Sequence, residues 1–553
     1  MTGGSGLPAH PAPPENHTFE SGDDTMIQCK RMPDSCRVLT EDGLYAAEKN
    51  GDGFSWKDIE LAAGMTSRGL ELRLHGGETP VRAVALRWLG EWAPHTLFSG
   101  DAIERGYGDF EWRGLNLTRL MPWYFSAYAQ NCTDCYGVKT GPDAYAIWQA
   151  DGRGVTLWLD TRCGGLGVIL KGKEICPGIV CQERYEGITA FRAVQRFCRT
   201  LCDAPLLPHG PVYGANNWYY AMGNTCQEEF LATVRETAEL SAGFKTRPYA
   251  VIDDGWQELA ECEGAAGRPY RRGNPHFPDM RGLAESVSKA GCLPGLWFRP
   301  AKTHDQFWKG ALLPGKNERI MDMSVPSGLD AVAEDVSRFV SWGYQLLKYD
   351  FVTCDLMGLF VQNTRDFMRV NGWALADRSV TSAMMIRNLC RTIRKNADGA
   401  VLIACNVPSH LAAGEAHIQR GGDDTNAREW YRTVKMGVNT LAFRLCQHNA
   451  FYAMDADCVG IVPSGIPWDL NRRFLDLIAR SGTPLFVSPA PGVMTEAMRK
   501  DVRAAFERVN AGPQDLEPLD WMETSLPMRY LSGGEEVTYS WWPDEGFEYP
   551  GEH

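Results

Sequence analysis

Leu346-Leu347-Lys348-Tyr349-Asp350-Phe351 is the stretch on which the reading of this 553-residue chain turns. It follows a helix-like run over residues 328–342 and an apolar entry through Tyr344, so it reads as a parallel strand ending at Asp350. Residues two apart on a strand share a face, which turns Lys348 and Asp350 the same way. A cation then stands beside a carboxylate at the C-terminal end of a strand, where α/β barrels place their chemistry. Such a lysine keeps the acid ionised and able to attack. A surface ion pair at a strand end is the plain alternative, and the rest of the chain decides between them.

On either side, strand and helix alternate. Strands are expected over 212–220, 249–256, 293–300, 344–351, 400–406, 417–420, 450–454 and 484–487. Helices are expected over 227–241, 281–290, 328–342, 380–396, 427–445, 470–480 and 495–509. Eight strands with helices alternating between them in about 300 residues are the arithmetic of a (β/α)8 barrel. A doubly wound sheet would also alternate, but its first strand usually opens onto a glycine-rich phosphate turn, and none stands there.

Residues 1–20 read as a flexible leader. From 21 to 207 the pattern is one of short β runs (70–74, 81–89, 145–149, 155–159, 167–170) broken by Gly, Asp and Asn turns, which predicts a β-sandwich. Within it, Arg105-Gly106-Tyr107-Gly108-Asp109-Phe110-Glu111-Trp112 reads either as a loop reaching toward a neighbouring domain or as sandwich core and turn. Pro205, Pro208 and Pro211 mark a boundary. The fold class is therefore α/β: a (β/α)8 TIM barrel over 208–512, preceded by an N-terminal β-sandwich domain and followed by a short C-terminal β extension, 513–553, with a strand signal at 537–542.

Composition narrows function by exclusion. A formal charge of -13 without a Lys/Arg block argues against nucleic acid. No apolar run reaches membrane-spanning length. Seventeen cysteines is an odd number, and the Gly/Pro-rich start lacks the pattern of a signal peptide, so the expectation is a reduced, cytoplasmic protein. Cys132 and Cys135 lack a second pair at zinc spacing. Eighteen tryptophans among scattered acids fit a sugar-handling protein, whose ligands stack C–H faces on aromatic rings.

In a barrel the strand C-termini converge on one mouth. They offer Trp218, then Asp253 with Asp254, Trp297 with Arg299, Lys348 with Asp350, Cys405 with Asn406, Arg420 with Asp423 and Asp424, and Asp455 with Asp457. No histidine pair at metal spacing and no Ser/His/Asp set falls on these ends, so neither a metal nor another cofactor is expected. Paired carboxylates across such a mouth are what glycoside cleavage uses, one ionised to attack and one protonated to release the leaving oxygen. Lys348 makes Asp350 the candidate nucleophile. The loop Arg420-Gly421-Gly422-Asp423-Asp424-Thr425 supplies adjacent acids, one of which is pushed toward a general acid's pKa. Helix capping is the competing reading for these acids.

With those residues on the page, the chain resembles the α-galactosidase clan of retaining glycosidases, especially glycoside hydrolase family 36, with features of family 27. Val251-Ile252-Asp253-Asp254-Gly255-Trp256 resembles the second-strand motif whose acids hold the sugar's O4 and O6. Leu347-Lys348-Tyr349-Asp350 resembles the nucleophile motif, in which the lysine also meets a hydroxyl. Residues 420–425 are similar to the acid/base motif, where the acid lies four residues after the arginine, which selects Asp424. Met454-Asp455-Ala456-Asp457 resembles an Asp-Pro-Asp strand end with alanine for proline; Trp218 and Trp297 sit in stretches similar to the tryptophan motifs that shape the sugar's apolar face.

The resemblance implies a retaining α-glycoside hydrolase acting on terminal α-galactosyl residues of an oligosaccharide or glycoconjugate. Asp350 and Asp424 would be catalytic; Trp218, Asp253, Asp254, Trp297, Lys348, Asn406, Arg420 and Asp457 would bind substrate. Asn406 stands where family 27 has a glutamate that reads O2, which leaves room for a 2-amino or 2-acetamido sugar. Galactosyl transfer of the raffinose-synthase kind and a catalytically silent sugar-binding protein are the alternatives. The C-terminal β part is short beside what the resemblance implies, and whether a partner subunit, including a second copy in a homo-oligomer, covers that side of the barrel is left open at this point.

Overall fold

The computed structural model describes residues 26–259, 266–314, 319–358 and 372–547. The expected leader lies outside the described residues, as do the last six residues of the expected C-terminal extension. The order of elements is antiparallel sheets first, then a parallel sheet with interleaved helices, then a small three-stranded antiparallel sheet.

The N-terminal antiparallel sheets have six and eight strands, centred on the pairs Ala83–Leu89 with Gly154–Asp160 and Gly69–Gly76 with Glu174–Glu186. Their strands carry the period of two that a half-buried sheet imposes. In Ile59–Thr66, for instance, Ile59, Leu61 and Ala63 are buried while Glu60 and Ala62 face out. Side chains of the two sheets meet, with the Phe125 ring 5.6 Å from Trp148. The run 167–170, expected as a strand, makes only a single bridge from Val168 to Val81. A side chain at Gly167 would reach within 2.8 Å of the Val81 nitrogen, so the chain there is a close-packed turn.

The parallel sheet has nine strands: β1 Tyr213–Asn216, β2 Tyr249–Ile252, β3 Leu293–Phe298, β4 Leu346–Tyr349, β5 Val401–Ala404, β6 Ile418–Arg420, β7 Ala453–Asp455, β8 Val459–Ile461 and β9 Leu485–Pro489. Their spatial order is β7-β6-β5-β4-β3-β2-β1-β9-β8. The edge strands β7 and β8 are separated only by Ala456-Asp457-Cys458, so the sheet curls until one interrupted strand serves both edges. Val251, Leu346, Ile403, Ile418, Ala453 and Phe486, from β2, β4, β5, β6, β7 and β9, pack together inside the curl. Leu347 and Tyr349 of β4 point the other way, into the main core. That alternation leaves Lys348 on the inner face with Leu346. At Gly214 a Cβ would lie 1.9 Å from the Tyr249 carbonyl oxygen, at a φ of +149°; only glycine lets β1 approach β2 there.

Several expected boundaries move, for physical reasons. The first strand stops at Asn216, whose Oδ1 accepts the Trp218 N–H at 2.8 Å and starts the short helix Trp218–Ala221. The second stops at Ile252, where Asn217 Oδ1 accepts the Asp253 N–H at 2.7 Å. The seventh begins at Ala453, not residue 450, and resumes as the unforeseen β8 after Asp457, which sits at a left-handed φ of +75°. The helix expected over 427–445 is four pieces: Trp430–Thr433, a π-helix Val434–Asn439, Thr440–Arg444 and a tight last turn Leu445–Gln447. Asn439 is pulled out of register by its bonds to Glu111 at 3.2 Å and the Ser525 carbonyl at 2.6 Å. Such π turns often mark functional sites. The C-terminal sheet places Arg529–Ser532 between Leu516–Pro518 and Glu535–Thr538, so the strand expected at 537–542 starts and ends sooner and lies at an edge of that sheet. No helix of the described residues is long and apolar enough to cross a membrane.

Candidate active site

Asp350 follows β4 directly, and its backbone N–H still pairs with Phe298 at 3.1 Å, which fixes where the side chain leaves the sheet. Its Oδ1 accepts the Phe351 N–H at 2.6 Å and the Asn406 side-chain amide; its Oδ2 accepts Trp297 Nε1–H at 3.1 Å. Burial alone would raise this carboxyl's pKa. The nearby Lys348 charge and the three donors outweigh it and hold Asp350 below its usual value of 3.8. The group is ionised at neutral pH, as a nucleophile requires. Two non-glycine residues around it, Phe351 at φ +65° and Asn406 at φ +52°, are left-handed. Each such position costs about 1–3 kcal/mol and is held by its surroundings, a pattern that clusters at active sites.

Lys348 does not bond to Asp350. Its ammonium reaches across β3 to Asp253 Oδ2 at 2.7 Å, so its effect on Asp350 is through space. Asp253 also accepts the Asn216 amide at 2.7 Å and the Asp254 N–H at 3.0 Å, and these bonds occupy both oxygens. Asp254, half-buried, accepts from Gln257, and burial raises its pKa. Of the two acids, Asp254 retains more capacity for a ligand.

Arg420 ends β6 under three carboxylates: Asp457 at 2.6 Å, Asp424 at 3.0 Å and Asp455 at 3.3 Å. Asp457 is further tied to Tyr219 and to the Thr425 N–H and hydroxyl at 2.8 and 3.0 Å. The glycines of this loop serve close packing. A Cβ at Gly422 would lie 2.5 Å from the Met436 carbonyl of the π-helix, and one at Gly421 would lie 2.7 Å from the Met454 sulfur. Asp423 is pinned between Arg105 at 2.7 Å and Arg432 at 3.2 Å, and accepts the Asp424 N–H at 2.8 Å. Asp424 keeps 41% of its side chain exposed. Burial, and then the charges of Asp457 and Asp423 against the pull of Arg420, push it up to about 6. Exposure moderates the burial contribution, but the neighbouring acids act in the same direction. Asp423 is thus an anchored neighbour of the more exposed Asp424.

The strands bearing Asp350 and Arg420 are separated by β5 alone, which at ~4.8 Å per strand sets their ends about 10 Å apart at the same end of the sheet. The groups between them are Asn406 and Arg105. Arg105 comes from the loop after the strand Leu97–Gly100 and reaches Asn406, while Phe110 and Trp112 of the same stretch lie in the core, so the loop reading and the core-and-turn reading of residues 105–112 each hold for part of it. Nothing at position 105 signals this except an aromatic, glycine-rich context. Trp297 is 1% exposed and aims its N–H at Asp350, which leaves it little face for a ligand. Trp218 sits on the helix after β1, half-buried against the inner cluster. Arg299 is structural: its Nε–H donates to Asp355 Oδ2 at 2.9 Å and its guanidinium lies 4.2 Å over the Phe351 ring. Asp355→Ala is expected to cost about 3–5 kcal/mol by stranding that buried cation, read as a lowered midpoint of thermal unfolding.

No protein-family model and no curated protein sequence matches the chain. Solved structures do. An α-galactosidase from Thermus thermophilus, in complex with p-nitrophenyl α-D-galactopyranoside, superposes with a TM-score of 0.60 at 17% identity, over 87% of this chain and 97% of that one. A family 36 α-galactosidase from Geobacillus stearothermophilus gives 0.56 at 14% identity, over 88% and 78%. The galactosidase domain of an α-galactosidase–sucrose kinase gives 0.54 at 13%, over 89% and 76%. The fold is thus that of the α-galactosidase clan of glycoside hydrolases. Within the clan, it is the fold of the family 36 enzymes.

Proposed function

We propose that this protein is a retaining α-galactoside hydrolase. The observation that carries the reading is a pair of acids at one end of the parallel sheet with pKa values displaced in opposite directions, Asp350 down and Asp424 up to about 6. Asp350 attacks the anomeric carbon as the glycosidic bond breaks, and Asp424 gives its proton to the departing oxygen. Asp424 then takes a proton from water, whose oxygen bonds to the anomeric carbon as the ester to Asp350 breaks. Asp254, with Asp253 and Lys348 behind it, binds hydroxyls of the sugar; Trp297 and Asn406 orient the nucleophile. Arg420 and Asp457 hold the acid/base loop, and Trp218 flanks the mouth.

The same reading takes the curled sheet as a (β/α)8 barrel over residues 208–512, the antiparallel sheets of 21–207 as a β-sandwich domain, and 513–553 as an extension. The related folds hold p-nitrophenyl α-D-galactopyranoside, stachyose and raffinose, which supports terminal α-galactosides of oligosaccharides as the substrate class. A 2-amino or 2-acetamido galactoside is the variant to compare, since the Asn406 carbonyl is engaged by Arg105.

The test is hydrolysis of 4-nitrophenyl α-D-galactopyranoside followed by proton NMR, where α-galactose is expected to form before mutarotation. A plot of kcat/KM against pH for a substrate with a sugar leaving group, such as raffinose, should be bell-shaped. Its acidic limb, from Asp350, lies below about 3.8 because that carboxyl must be ionised. Its basic limb falls near 6, where Asp424 loses the proton it must donate. Prior release of β-galactose, or no turnover on any α-galactoside, overturns the proposal; transfer to an added acceptor sugar in place of water redirects it to galactosyl transfer.

A further inference from the structure

The described residues that bridge the two acids converge on one guanidinium. Arg105 donates from Nε to Asn406 Oδ1 at 3.0 Å and from Nη2 to the same oxygen, while Asn406 donates to Asp350. From its other side Nη1 pairs with Asp423 at 2.7 Å, and Asp423 accepts the Asp424 N–H at 2.8 Å. The planar fork of arginine can serve both partners at once; a lysine ammonium, a single point, serves them poorly. The loop that carries it is strapped down. Buried Arg444 donates to Asp101 at 2.8 Å and to the carbonyls of Glu104 at 2.6 Å and of Gly421 at 2.6 Å, so one side chain ties the Arg105 loop to the acid/base loop. Glu104 pairs with Arg105 at 3.1 Å and accepts the Thr353 hydroxyl at 2.6 Å, and that hydroxyl also meets the Asn406 carbonyl at 3.0 Å.

We propose that Arg105 is a positioning residue for the reaction: it sets the spacing of the two catalytic carboxylates, acting on Asp350 through Asn406 and on Asp424 through Asp423. The inference rests on the function proposed above. Retention needs the carboxyl groups about 5–5.5 Å apart, while the strands that carry them are not neighbours, so a lateral brace is what the chemistry demands. The brace comes from the antiparallel N-terminal part of the chain, some 300 residues from Asn406 in sequence, which makes that part a contributor to turnover.

Arg105→Met is expected to lower kcat on 4-nitrophenyl α-D-galactopyranoside about 10²-fold, the effect of a displacement of order 1 Å, with KM changed much less. It should also move the basic limb of the kcat/KM profile on the sugar-leaving substrate upward. Asp424 faces Arg420 from β6, Asp423 from its own loop, Asp457 from the turn after β7, Lys348 from β4, Cys405 after β5 and Tyr219 after β1. Removing the Arg105 cation from this set makes Asp424 harder to ionise. Arg105→Lys keeps the charge and should leave the limb in place, yet lose about tenfold in kcat because it cannot span both partners. It also carries the test where Arg105→Met fails to fold. Loss of kcat together with an unmoved limb in Arg105→Met, or wild-type kcat in either variant, overturns the positioning role and leaves the proposed function standing. A wild-type chain without α-galactoside turnover overturns both.

Discussion

Asp350→Gly is expected to abolish hydrolysis of α-galactosides by on the order of 10⁴-fold or more in kcat/KM, the scale on which removal of a covalent nucleophile is felt. That is at least ~5.5 kcal/mol of transition-state stabilisation, a loss distinct from any cost to the fold. Three donors, from Trp297, Phe351 and Asn406, lose their acceptor, at about 1–3 kcal/mol for each group left unsatisfied. The truncation opens space into which water enters, and Lys348 keeps its bond to Asp253. Unfolding measured beside activity separates the two effects: the variant should remain folded and inactive. Azide makes the test specific. A small anion in the vacated space attacks from the side Asp350 used, opposite the leaving group, so the product is a β-galactosyl azide. An α-azide, or near-normal hydrolysis, would mean that the nucleophile is another residue.

The residues behind this prediction were legible because their signals are local. A period of two put Lys348 inside with Leu346, and strand ends are where parallel sheets expose polar groups, so the acids after β2, β4 and β6 could be found by position. Their partners could not. Lys348 turns to Asp253, a choice made by the register in which β3 and β2 lie beside β4, and strand register is set by long-range packing. Asn406 was legible as a strand-end polar group, but not as the link between Asp350 and Arg105. The left-handed backbone at Phe351, Asn406 and Asp457 has no glycine to announce it. The break in the helix after residue 430 was hidden for the same reason. Its apolar spacing continues through, and the polar anchor that bends it, Asn439, is defined by Glu111 more than 300 positions away.

Asp424→Ala is the second change with a large expected effect, and its signature is a dependence on the leaving group. With a sugar as leaving group, loss of the acid should cost about 10²–10⁴-fold in kcat/KM. With 4-nitrophenol, which departs without a proton, formation of the glycosyl-enzyme is spared and its hydrolysis becomes slow, so a burst of phenolate precedes a low steady rate. The basic limb near 6 should vanish from kcat/KM on the sugar-leaving substrate, because the group whose ionisation produced it is gone. The fold should tolerate the change, since Arg420 keeps Asp455 and Asp457. Here azide needs no general base. It attacks the glycosyl-enzyme from the side that Asp350 does not occupy, and the product is an α-galactosyl azide. The two variants thus give azides of opposite configuration from one substrate. That outcome requires Asp350 and Asp424 to act on opposite faces of a single sugar; identical products from both variants would remove the assignment of their roles.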